Sequence, residues 1–157
     1  MVILGCIAGL LMIIAAVLAY KVATTPDYTI PNHITENAQH PIYIPKKLPG
    51  GYKIIDGSFA ISEEALLFRV EDSSGSSLAF TEQKRPQNFD FEQFYRDQMQ
   101  SAKKLSGTPH PSVLGKSPSG DRFLLSIVTD DTWILVSTAA PLNEQDFTLI
   151  AKGIKKN

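Results

Sequence analysis

Twenty residues without a single charge open this sequence, and they constrain it more than any other feature. Met1–Tyr20 reads MVILGCIAGLLMIIAAVLAY, apolar throughout and free of proline. As an α-helix, twenty residues rise about 30 Å, the thickness of the hydrocarbon core of a bilayer. A helix apolar on every face has no polar side to offer water, so lipid is the solvent that suits it. Tyr20 and Lys21 add an interfacial aromatic and a cation that reaches the headgroups. The expectation is a transmembrane anchor over residues 1–20, with membrane lipid as its partner.

A cleaved signal peptide is the competing fate. Val17 and Ala19 offer a small-residue cut site before Tyr20, but the apolar run is long and no Lys or Arg precedes it. An uncleaved, single-pass signal-anchor is therefore preferred, with the body on the extracytoplasmic side. The positive-inside rule does not support that side, because Lys21 follows the apolar run. Cys6 lies inside the run, where it reads as a small apolar residue, with palmitoylation as the alternative. Gly5 and Gly9 form a GxxxG spacing that permits close helix contact but recurs by chance in apolar runs, so the oligomeric state stays open.

Charge and cysteine content exclude several classes. Fifteen Lys and Arg against sixteen Asp and Glu give a net charge of -1, which argues against nucleic acid as a partner. One cysteine leaves no disulfide framework and no Cys-rich zinc site. The 157 residues suffice for one domain.

Residues 21–50 read as a Pro-rich linker. Pro26, Pro31, Pro41, Pro45 and Pro49 remove backbone donors and restrict the residues before them, so an extended, semi-rigid spacer is expected. Ile42, Tyr43 and Ile44 are placed along the body as an edge strand. His33, Glu36 and His40 form the one grouping that invites a metal, since Glu36 and His40 would share a helical face. The prolines oppose that helix and no third ligand is evident, so these are expected to be solvated spacer residues and no metal site is assigned.

The body, residues 51–157, alternates strands and helices. Tyr52–Ile55 and Ser58–Ile61 flank Asp56-Gly57, a hairpin dipeptide, and strands follow at Glu64–Val70 and Ser77–Gln83. Asp90 is a good N-cap, Phe89 can staple onto Phe94, and Phe91, Phe94, Tyr95, Met99, Ala102 and Leu105 make one apolar stripe. The spacing predicts a helix from Phe91 to the stop at Gly107. Arg122–Thr129 and Trp133–Thr138 read as a long hairpin around Asp130-Asp131, and Asn143 caps a last helix carrying Phe147, Ile150, Ala151 and Ile154. The fold class that follows is α+β: an N-terminal transmembrane helix plus one small domain, with a mostly antiparallel sheet and two packed helices.

Catalytic patterns do not emerge. GxSxG, HExxH and GxGxxG are missing, and the body holds no cysteine. Gly115-Lys116-Ser117 matches the tail of a Walker loop, but His110 stands where its first glycine belongs. Asp130 with Asp131, and Glu63 with Glu64, are adjacent carboxylates that point apart in a strand or turn. No catalytic residue and no cofactor is assigned.

Leu48-Pro-Gly-Gly-Tyr52, the strand Trp133–Val136, and Pro141-Leu-Asn-Glu144 leading into Phe147–Ala151 form a pattern. It resembles the small domains of unknown function that follow a single membrane helix in many bacterial cell-envelope proteins, including anti-sigma-factor-like ones. The resemblance covers residues 48–155 and implies an envelope-facing sensor or binding domain. The expected function is a membrane-tethered, non-catalytic binding module for an envelope protein or a small apolar ligand. Its candidate surface is Phe91, Phe94, Tyr95 and Trp133. The alternatives are an enzyme with a Ser/Asp/Lys site assembled by folding, and a structural subunit of an envelope complex.

Overall fold

In the computed structural model, which describes residues 28–157, strand alternation decides the layering. Leu66, Phe68 and Val70 on β4 (Ala65–Glu71) and Leu78 and Phe80 on β5 (Ser77–Lys84) point to one face. Leu125 and Ile127 on β8 (Phe123–Val128) and Ile134 and Val136 on β9 (Thr132–Thr138) continue it, all of them buried. The sheet is antiparallel at every pairing, in the order β2-β4-β5-β9-β8-β7-β6, with β3 also on β4. Here β2 is Lys53–Ile54, β3 Ala60–Ser62, β6 Gln100–Lys104 and β7 Ser112–Lys116. Among the described residues there are three helices: α1 (Asn32–Asn37), α2 (Phe91–Gln98) and α3 (Glu144–Gly153). The domain is therefore small, α+β and mostly antiparallel.

One face of the sheet is covered by α3, through Phe147, Ile150 and Ala151, and by a two-stranded ribbon. The ribbon pairs β1 (Tyr43–Pro45) with β10 (Ile154–Lys156), joining Ile44 to Lys155. Asn143 caps α3 in a capping box with Asp146, as its sequence position predicts. On the opposite face α2 lies over β7, β8 and β9, burying Tyr95, Met99 and Val113. Asp90 caps α2 by accepting from the Gln93 N–H at 2.8 Å, and Phe89 reaches Phe94 as the expected staple.

Three expectations are corrected. The helix predicted from Phe91 to Gly107 stops at Gln98, and Ala102, Lys103 and Lys104 belong to β6 instead. The free edge of β7 demands a partner, and its backbone pairing overrides a helical pattern that favours α2 by only tenths of a kcal/mol per residue. Asp56-Gly57 does not close a hairpin: β2 and β3 both pair with β4, and the dipeptide is a bulge-like turn between them. The Ser58 hydroxyl fills the gap by accepting from the Arg69 N–H at 3.1 Å. The hairpin is closed instead at Glu63-Glu64, both at positive φ between Ser62 and Ala65.

The third correction concerns the spacer. Pro31 and Pro41 do not prevent α1; they bracket it, leaving nine residues without proline between them, six of which form the helix. Ile34 of α1 and Ile42, Tyr43 and Ile44 are buried in the main core, so part of the segment read as a spacer is structural. Among the described residues no helix is long and apolar enough to cross a membrane, and residues 1–20 lie outside them.

Two residues govern how this segment docks. Gly153 lets it approach: a Cβ there would meet the Lys47 backbone N at 2.7 Å and O at 2.8 Å. Glu82, fully buried on β5, receives it, its Oε2 accepting from the Tyr43 N–H at 3.0 Å. Its Oε1 is buried without a hydrogen-bond partner. Burial pushes the Glu82 carboxyl up to about 8, with the Tyr43 hydrogen bond opposing weakly.

Two outcomes follow from that docking. In an unfolded chain Glu82 ionises near 4.5, so its contribution to stability is full below that pH and is lost as pH rises toward 8. Urea unfolding midpoints should therefore decline between those limits, by an amount on the order of 4 kcal/mol in free energy, and Glu82→Gln should flatten the decline. Gly153→Ala improves helix propensity by about 1 kcal/mol, yet the clash with Lys47 should prevail, giving net destabilisation of about 1–3 kcal/mol in the same measurement.

Candidate functional site

The four candidate residues of the aromatic surface do come together. Phe91, Phe94 and Tyr95 occupy one side of α2 because a helix returns to the same face every three or four residues. Trp133 rises from β9 on the face opposite the main core, since Ile134 beside it points inward. Ring centroids of Phe94 and Trp133 lie 5.0 Å apart, and those of Phe91 and Trp133 5.5 Å apart, both edge to face. Phe89 completes the group at 5.3 Å from Trp133 and is the large apolar side chain that stays exposed, at 39%. The sequence marked Phe89 only as a staple. Its place at the rim follows from the turn before α2, which no spacing rule reveals.

A serine organises the polar ends of the cluster. The Trp133 indole N–H donates to Ser126 Oγ at 2.9 Å, and the same oxygen is hydrogen-bonded to the Tyr95 hydroxyl at 3.3 Å. Burial pushes the Tyr95 phenol above its ordinary value, against a smaller opposing effect of Ser126, so this hydroxyl stays neutral. Two of the four candidate rings, Tyr95 from α2 and Trp133 from β9, are thus anchored to one serine of β8.

Three adjoining depressions run along α2. The first, about 570 Å³, is walled by Lys84, Arg85, Phe89, Phe91 and Asp130. The second, about 300 Å³, shares Arg85 and Phe91 with it and is floored by Tyr95, Leu105, Val113 and Val128. The third, about 320 Å³, continues past Tyr95 to Met99 and Ala102. Lys104 and Glu92, paired at 2.9 Å across β6 and α2, line both the second and the third. Arg85 is held by one guanidinium nitrogen, Nη1, which donates to the Thr129 carbonyl at 3.2 Å. Arg85 lines both the first and the second depression. The groove therefore combines an apolar floor with a cation at the junction of its first two compartments.

Elsewhere the sequence-level candidates separate. Asp131 is not a merely solvated turn residue. Burial would raise its carboxyl, but hydrogen bonds from Tyr43, Thr129 and Thr132, with Lys156 nearby, hold it below the ordinary range. His40 is also buried rather than solvated, its Nδ1 3.1 Å from the Pro41 carbonyl, whereas His33 and Glu36 are exposed on α1. Among the described residues no three His, Cys, Asp or Glu side chains gather around a common point for a metal. Gly115 of the Walker-like stretch lies within β7, where its missing side chain admits Met99, which ends α2, and Gln100 of β6. Ser117 and Ser119 both donate to Asp121 in the turn after it, and these bonds lower the Asp121 carboxyl. Among the described residues no lysine is hydrogen-bonded to that cluster.

Compared with protein-family models, with curated proteins and with solved structures, the chain matches none. The class defined here rests on its own geometry: an antiparallel α+β domain with an aromatic-walled groove beside one helix.

Ser126 gives this arrangement a direct check. Ser126→Ala removes the acceptor of Trp133 and a partner of buried Tyr95, and should cost about 1–3 kcal/mol in urea unfolding. Emission of Trp133, the single tryptophan, should shift in the folded state as its indole N–H loses that bond.

Proposed function

We propose that this protein is a membrane-tethered, non-catalytic binding module of the bacterial envelope, its body extracytoplasmic, and that the groove along α2 holds a small amphipathic ligand. The observation that carries this reading is the junction at Arg85. There an apolar channel floored by Tyr95, Val113 and Val128 meets a guanidinium with donors to spare. A ligand with an apolar body and a carboxylate head satisfies both, because the channel shelters the body and Arg85 binds the head by charge-assisted hydrogen bonds. The uncharged residues 1–20 support the tether, and the resemblance to envelope domains supports the setting.

A medium-chain fatty acid, decanoate, is the probe. Titrated into the protein, it should quench or shift Trp133 emission saturably, because Trp133 touches Phe91 on the groove wall. Arg85→Ala should weaken binding by about tenfold through loss of the charged head contact, while decanol should bind the two proteins alike. Absence of saturable binding would remove the ligand reading. Hydrolase turnover that disappears with Ser117→Ala or Ser119→Ala would favour the enzyme instead.

A further inference from the structure

Four lysines gather where α3 ends and the segment after β1 crosses it. The Lys46 N–H donates to the Gly153 carbonyl at 2.8 Å, and Lys47 lies against Gly153 through its backbone and Cβ. Lys152 precedes that glycine, and Lys155 follows it on β10, opposite Ile44. All four side chains belong to exposed residues. Among the described residues no carboxylate forms an ion pair with any of them. Nearby acids are engaged elsewhere: Asp131 with Lys156, Asp56 with the Thr29 N–H, and Asp146 in the α3 capping box. Glu144 lines a depression along α3 together with Lys152 but is itself paired with Lys103 at 2.7 Å.

The patch lies where the chain arrives from its N-terminal side. The Lys46 ammonium donates to the Tyr28 hydroxyl at 2.8 Å, and Tyr28 is the first described residue. Seven residues, Lys21–Asp27, separate Tyr28 from the uncharged run, and at full extension they span no more than about 25 Å. A body tethered so closely stays within about 25 Å of the membrane, and among the described residues the lysines near Tyr28 pair with no carboxylate. We infer that Lys46, Lys47, Lys152 and Lys155 form a docking surface for anionic lipid headgroups, seating the domain on the membrane with its α3–β10 end down. The inference rests on the anchor reading of residues 1–20. The chemistry is the ordinary attraction of clustered lysines to an anionic interface, about one kT or more for each, screened by salt.

The full chain in vesicles tests it, with an amine-acylating reagent and mass spectrometry reading each lysine. In phosphatidylcholine containing phosphatidylglycerol, the four lysines should be acylated about fivefold more slowly than in phosphatidylcholine alone, with Lys104 and Lys116 unchanged. The protection should vanish at about 1 M salt, where the Debye length is about 3 Å. Equal acylation in both vesicles, with the chain bound to each, overturns the docking surface and leaves the anchor standing. Failure to sediment with neutral vesicles overturns the anchor instead. Docking then still requires salt-sensitive sedimentation with phosphatidylglycerol vesicles, weakened more than about tenfold in the triple variant K46Q, K152Q, K155Q, and its absence refutes the patch. Protection that is insensitive to salt points to a protein-like or apolar contact and also refutes it.

Discussion

The structure depends on the closure of its two ends over one face of the sheet. β1 and β10 pair through three residues each, and Glu82 beneath them receives the Tyr43 N–H. Without that ribbon, Phe68, Phe80 and their neighbours would face water along with the surface α3 leaves uncovered. The cost is a carboxyl sealed in the core, which the protein bears by keeping it protonated. Ionising Glu82 therefore costs stability. Because the same ribbon carries Lys46 and Lys47 onto the end of α3, it also determines which side chains surround that end of the helix.

The opposite face is built differently. There α2 covers β7, β8 and β9 and leaves the outer side of β4 and β5 to long side chains such as Arg69. A helix of eight residues is too short to close that face, so a groove remains along its margin. Ser126 and the aromatic cluster make the near wall rigid, while Arg85, at the end of β5, supplies the polar end. Aromatic rings thus form one wall of the groove, and the cations Lys84, Arg85 and Lys104 lie along its polar side. The exposed Phe89 at the rim adds apolar surface at the mouth.

Much of this was legible in local pattern. The β8–β9 hairpin, the Asp90 and Asn143 caps, the Phe89–Phe94 staple and the meeting of Phe91, Phe94, Tyr95 and Trp133 all follow from spacing and capping chemistry. Arg85 as a groove residue was not legible, because a cation at a strand end looks the same whether it faces solvent or a cleft. Nor was burial of His40 and Glu82, whose partners lie in distant segments. Ala102 and Leu105 continued a helical period, yet the edge of β7 claimed their segment.

By itself the sequence determined the elements whose causes are local: apolar alternation in β4, β5, β8 and β9, the caps of α2 and α3, and the uncharged run of residues 1–20. Only the tertiary structure decided that Ile34 joins the core with the strand at Ile42–Ile44, that α2 ends at Gln98, and that β2 and β3 share one partner. The reason is physical. Periodicity and capping act within a few residues, whereas an unpaired strand edge or an uncovered apolar face is satisfied by whatever segment the whole chain brings to it.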